Sequence, residues 1–144
     1  ARAYPRRAGF MALAGPLANF AIVLAAATAI HAGRAAGALQ LSGQFALDGL
    51  VRSTADGVMQ PVAALLSVLF SLNLILGAFN LLPVPPLDGF NVLGLILPES
   101  ATLKLMNFRD SMGMMTMLGL LVAWRAFDYV FEPLFLSGLR LLLI

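Results

Sequence analysis

The chain has 144 residues, of which 60% are hydrophobic and 11% charged, with a formal net charge of +2. A soluble domain carries roughly 25% charged residues, so this chain has too little charge to cover a water-facing surface, and its few basic residues form no stripe for nucleic acid. The absence of cysteine excludes a disulfide framework, Cys-ligated zinc and haem attachment.

The chain opens "ARAYPRRAGF". Arg2, Arg6 and Arg7 ahead of an apolar run have the charge pattern of a signal peptide, but the run is longer than a signal core and the chain after it is equally apolar. We read the start as internal to a longer protein. The first span is expected over about residues 8–31. Its segment "FMALAGPLANFAIVLAAATAI" contains no ionisable group, and about 20 apolar residues suffice to cross a bilayer. Ala12, Ala14, Gly15, Ala18, Ala21 and Ala25 are small enough to let another helix approach closely. Pro16 frees a backbone carbonyl that a neighbouring helix or polar side chain must satisfy.

Residues 32–60 form a polar connection in which "ALQLSGQFALDG" reads as a short hairpin or an interfacial stretch. A second span begins at Pro61, a favourable position at a helix start, and runs to about residue 83. Three prolines then break it, and "LDGFNVLGLILP" resumes as a short helix over about 88–97 with Asp88 at its N-cap. A third span is expected over about 111–131. The fold class is therefore an all-α membrane protein, a multi-pass helical bundle with a helix broken at a Pro-rich L-D-G turn, in one transmembrane domain. Basic residues flank the start (Arg2, Arg6, Arg7) and follow the broken helix (Lys104, Arg109). By the positive-inside rule the N-terminal end and the loop after Asp88 face the cytoplasm of a cell-membrane protein.

Asp88 is the only ionisable residue between Pro61 and Pro98. A charge at membrane depth costs at least about 2.5–3.5 kcal/mol on insertion scales, so a cation, hydrogen-bond donors, water or a proton must offset it. The same residue also suits an ordinary helix cap. With Asn73, Asn80 and Asn91 nearby, the pattern points to a polar pocket among helices. Arg125, Asp128 and Glu132 read as an interfacial charge cluster. The methionines of "MGMMTM" read as packing residues rather than soft-metal ligands.

Two motifs carry a family resemblance. "NLLPVPPLDG" (80–89) resembles the N-x-x-P-x-P-x-L-D-G segment of the site-2 protease family of intramembrane zinc metalloproteases, and "AGPLANF" (14–20) resembles that family's G-P-x-x-N helix. The resemblance covers about residues 6–98. It implies Zn2+ as cofactor, Asp88 as a metal ligand, and Asn80 beside the metal, positioning substrate or stabilising an oxyanion. Gly15, Pro16 and Asn19 would be structural near the site, as would the turn residues Pro83, Pro85, Pro86 and Gly89. It also implies lipid as environment and membrane-embedded proteins as substrates. One departure is large. The family's remaining ligands and its general base come from H-E-x-x-H, whereas this chain has one histidine, His31, which reads as an interfacial residue at the far end of the first span. Either the chain is the C-terminal part of such an enzyme, or it is a degenerate member without metal. A transporter-like piece using the broken helix as an ion site is the alternative from another class.

Overall fold

The computed structural model describes residues 4–44 and 46–144. Helix α1 (Tyr4–Ala35) is followed by a two-stranded antiparallel hairpin, β1 (Leu39–Leu41) and β2 (Val51–Ser53), in which Gln40 pairs with Arg52. Then come α2 (Met59–Asn80), the short α3 (Asp88–Ile96), α4 (Glu99–Met112), a single 3-10 turn and α5 (Thr116–Leu143). Among the described residues three helical stretches, Pro5–Ala35, Met59–Asn80 and Glu99–Leu143, are long and apolar enough to cross a membrane. The fold is all-α and of membrane type, with the hairpin as its one departure.

Local chemistry sets the boundaries. Pro61 falls in the first turn of α2, where an amide N–H has no intrahelical partner in any case. At the end of α3, Leu97 is extended (ψ 152°), because the residue before a proline is disfavoured in the helical region, and here Pro98 follows. Gly113, at φ +52°, stops α4 in a backbone conformation open to glycine. Helix α5 then runs through Pro133 to Leu143, so "PLFLSGLRLLLI" continues a helix rather than standing as a separate short segment. The Pro133 carbonyl accepts a 2.7 Å hydrogen bond from the Ser137 hydroxyl. Arg125, Asp128 and Glu132 are exposed on α5, and the ion pair found among the described residues lies elsewhere, between Arg109 and Asp110 at 2.8 Å.

The structure divides into two compact units. One draws its described residues from Ala1–Ala18 and Gly77–Glu132, the other from Asn19–Leu76 and Pro133–Ile144. In the second unit Phe70, Ile30 and Leu142 are fully buried. Gly138 of α5 lies against α2 so closely that a Cβ there would sit 2.5 Å from Leu74 Cδ2. The hairpin is tied to α2 by a 3.1 Å bond from the Val51 amide to the Ser67 hydroxyl. The last carbonyls of α5 are capped from α1: His31 Nε2 donates to the Leu141 carbonyl at 2.7 Å, and the Arg34 guanidinium donates to that of Leu142.

In the first unit, glycines set the spacing between elements. A Cβ on Gly9 of α1 would lie 2.7 Å from Leu95 Cγ and 3.1 Å from the Asn91 carbonyl oxygen. One on Gly94 of α3 would lie 2.9 Å from the Pro5 carbonyl oxygen. Position 5 meets 94 and position 9 meets 91 and 95, so the start of α1 runs antiparallel to α3 at glycine distance. Phe79 packs edge-on against Trp124 and Phe127 of α5, with ring centroids 6.3 and 5.5 Å away. Gly119 of α5 presses on the proline turn: a Cβ there would overlap the Pro85 carbonyl oxygen.

This last contact gives a sharp test. In an unconstrained helix interior, glycine to alanine gains about 1 kcal/mol of propensity, whereas overpacking costs about 1–3 kcal/mol or more. Since the obstacle at Gly119 is backbone, Gly119→Ala should lower the unfolding temperature of the detergent-solubilised protein. A rise would show that the turn is not packed on α5.

Candidate metal-ligand site

The centre of interest is the turn between α2 and α3, residues 81–87, and the carboxylate that follows it. The prolines remove donors, yet three of the turn's carbonyls, those of Leu82, Val84 and Leu87, accept bonds from nearby amides. The Leu82 amide donates to the Phe79 carbonyl (3.1 Å), that of Val84 to Leu82 (2.8 Å), that of Leu87 to Val84 (2.9 Å) and that of Phe90 to Leu87 (3.2 Å). Irregular backbone at membrane depth requires such partners. Pro83 and Pro86 are exposed and Pro85 is half-buried.

Gly89 closes the turn on itself. A Cβ at that position would overlap the carbonyl oxygens of Leu81 and Leu82, so any other residue would push the end of α2 away from the start of α3. Asn80, the last residue of α2, and Asp88, the first of α3, each stand one residue from this contact. The turn thus brings together the polar residues at its two ends.

Asp88 is the first helical residue of α3, not its cap: Leu87 occupies the cap position in an extended conformation, and no side chain caps the helix there. This corrects the expectation of Asp88 as N-cap. The physical reason is that Leu87, pinned through its amide to Val84, already supplies the extended residue that begins the helix. The carboxylate still lies in the first turn, where the helix dipole favours negative charge. It faces α1: a Cβ on Gly15 would lie 3.3 Å from Asp88 Oδ2. That contact continues the antiparallel register, with 5 on 94, 9 on 91 and 15 on 88. Gly15 itself is exposed and Asp88 half-buried, so the carboxylate sits at an accessible edge of the unit.

The other polar residues sort themselves by their bonds. Asn73 belongs to the second unit and donates to the Leu69 carbonyl of its own helix at 2.8 Å. Asn91 accepts a 2.9 Å bond from Arg109 Nη1, which holds α3 to α4. That clamp was not visible in the sequence, because eighteen residues separate its partners and no motif links them. Asn80 and Asp88 remain: neither side chain has a hydrogen bond or ion pair among the described residues. Pro16 is buried inside α1, one residue beyond Gly15. Asn19 and His31 fall in the second unit, and His31 is engaged at the end of α5.

Among the described residues there is no group of three His, Cys, Asp or Glu that would hold a metal ion. A catalytic zinc takes three protein ligands and keeps one position open. The residues present therefore do not fit a zinc by themselves. They present one oxygen donor, Asp88, at an accessible edge and uncommitted to the fold.

Comparison with known proteins places this turn in a family context. Residues 2–124 match the family model of "Peptidase family M50". A Bacillus subtilis (strain 168) protein named "Putative zinc metalloprotease YwhC" is 38% identical over 72 residues, which cover 50% of this chain and 32% of that protein. The matched stretch thus spans about a third of that relative. No solved structure matches.

For a half-buried carboxylate without a partner, the cost of taking the charge partly out of water offsets the about 0.3–1 kcal/mol that the helix dipole returns. Asp88→Asn should accordingly leave the unfolding temperature unchanged or raise it slightly. A clear fall would show that the carboxylate is held by the fold itself.

Proposed function

The chain belongs to peptidase family M50, and on that premise we propose that it is the Asp88-bearing part of an intramembrane zinc metallopeptidase that hydrolyses peptide bonds of membrane-embedded proteins. The observation that carries this reading is the state of Asp88. The carboxylate stands at the first turn of α3 without a cap, hydrogen bond or ion pair among the described residues, opposite an exposed glycine. Nature rarely keeps such a group inside an apolar helical protein unless it binds something.

In this reading Asp88 supplies one oxygen ligand, and the remaining ligands and the general base come from H-E-x-x-H on a segment outside these 144 residues. The absence of any H-x-x-x-H in the chain and its match to about a third of YwhC both support that division. Zinc in such sites polarises the scissile carbonyl and activates water. The residues of this chain do the rest. Gly15 leaves room for the Asp88 carboxylate and for what approaches it. Gly89 and the self-bonded turn fix the distance between Asn80 and Asp88. Asn80, whose amide has no hydrogen bond among the described residues, would donate to a substrate carbonyl. Pro16 shapes the α1 face beside Gly15, and Pro83, Pro85 and Pro86 keep the turn from relaxing into helix. Lipid surrounds the apolar spans, and the arginine-rich start and the segment after Asp88 lie on the cytoplasmic side of the cell membrane.

A second reading is a degenerate, non-enzymatic member, favoured by the lack of a three-ligand group among the described residues. The complete protein separates the two. We expect it to retain about one zinc per chain and to cleave a membrane-embedded substrate, with Asp88→Ala losing both. Asn80→Ala should keep the zinc and lose turnover by about 10²–10³, the range for removing one oxyanion donor. A complete protein without zinc or cleavage would establish the degenerate reading.

A further inference from the structure

A second feature of the first unit lies at the opposite end of the α1–α3 contact from Gly15 and Asp88. The start of α1 and the junction of α3 with α4 enclose a cleft of about 470 Å³, lined by Pro5, Arg6, Arg7, Phe10, Gly94 and Leu97, with Pro98 and Glu99 closing its rim. Two guanidinium groups stand side by side on this cleft. Neither Arg6 nor Arg7 has a hydrogen bond or ion pair among the described residues, and both are exposed. Among the described residues that line the cleft, Glu99 is the one acidic side chain against two arginines, so this lining is net positive.

Two further observations add to this charge. Helix α4 has fourteen residues and begins at Glu99 with Pro98 as its cap and no side-chain cap bond. The amides of Ala101 and Thr102 both turn back to the Pro98 carbonyl. The first-turn amides of Glu99 and Ser100 carry no such bond, and an uncapped helix start of this kind attracts anions. The apolar part of the cleft does not end at the arginines: Phe10 is 66% exposed and Met11 78%, and Leu17, two turns further on, is 55% exposed on the same helix. The cleft therefore joins a basic head-binding end to an apolar, lipid-facing stretch.

We infer that this cleft is a binding site for an anionic phospholipid, with Arg6 and Arg7 pairing with the phosphate and the acyl chains lying along Phe10 and the outer face of α1. Arginine suits this role because its planar fork bonds phosphate oxygens two at a time. Basic pockets between membrane helices at the bilayer surface are where lipid head groups are held. A soluble anion alone would need no apolar stretch beside it. The inference is independent of the peptidase reading, since neither Asp88 nor Asn80 lines the cleft.

The test uses the complete protein in detergent, loaded with phosphatidylglycerol or phosphatidylcholine of the same acyl chains, with retained lipid counted by native mass spectrometry. The wild type should retain phosphatidylglycerol in preference. Each arginine near a membrane surface contributes about a fivefold factor, so Arg6→Gln with Arg7→Gln should lower phosphatidylglycerol retention roughly thirtyfold and that of phosphatidylcholine, whose choline cation already offsets its phosphate, by much less. The double lysine variant should keep most of the preference, which separates loss of charge from loss of fold, and Glu99→Gln should strengthen it. An unchanged preference in the double glutamine variant, or equal loss of both lipids, would overturn the inference. So would displacement of phosphatidylglycerol by inorganic phosphate at equal concentration, which would assign the cleft to a soluble anion.

Discussion

The contact on which the candidate site depends is the glycine-spaced, antiparallel approach of α1 to α3. Three positions define it: Gly94 beneath the Pro5 carbonyl, Gly9 against Asn91 and Leu95, and Gly15 opposite the Asp88 carboxylate. Helix α3 is only nine residues long, too short to be stable on its own, so its position is imposed by what it packs against. In a membrane, where lipid is as apolar as a leucine side chain, close packing of small residues is a main source of helix association. Asp88 thus points where it does because one helix or the other offers a glycine at each contact.

The other side of the site is set by backbone sterics. At Gly89 and Gly119 the obstacles to a side chain are the carbonyls of Leu81, Leu82 and Pro85, which cannot swing aside as a flexible side chain would. The turn is clasped between the first residues of α3 and the middle of α5, while its own amides occupy the carbonyls of Leu82 and Val84. Arg109 fastens α3 to α4 through Asn91. Every polar group nearby with a structural task has its partner, which is why the two without one, Asn80 and Asp88, stand out. The functional reading therefore rests on which bonds are made as much as on which residues are present.

Much of this was legible in the sequence because membrane chemistry leaves few options. Long uncharged runs must be helices, a cluster of three prolines must break one, and a lone aspartate between Pro61 and Pro98 must be compensated. The motifs 14–20 and 80–89 tied that aspartate to a metallopeptidase family, which the match over residues 2–124 bears out. What was hidden depended on three-dimensional packing. Nothing in local sequence says that Leu87 rather than Asp88 takes the cap position of α3, because Asp is the favoured cap residue and only the turn geometry decides otherwise. Nor does spacing reveal that Asn91 is held by Arg109, or that Gly9, Gly94 and Gly119 matter as much as Gly15. A glycine in an apolar helix shows its purpose only when its neighbour is known. The hairpin was expected only as one of two possibilities, since three-residue strands are too short for a clear alternating pattern.

The central claim is that Asp88 is an uncommitted oxygen donor completed into a zinc site by residues outside these 144. The most direct test replaces the donor atom and looks for it at the metal. Zinc-edge X-ray absorption of the complete protein should show only nitrogen and oxygen neighbours in the wild type. In Asp88→Cys it should show one sulfur at about 2.3 Å, the distance of a zinc–thiolate bond. Full zinc retention in that variant with the nitrogen and oxygen shell unchanged would place Asp88 outside the coordination sphere and contradict the account.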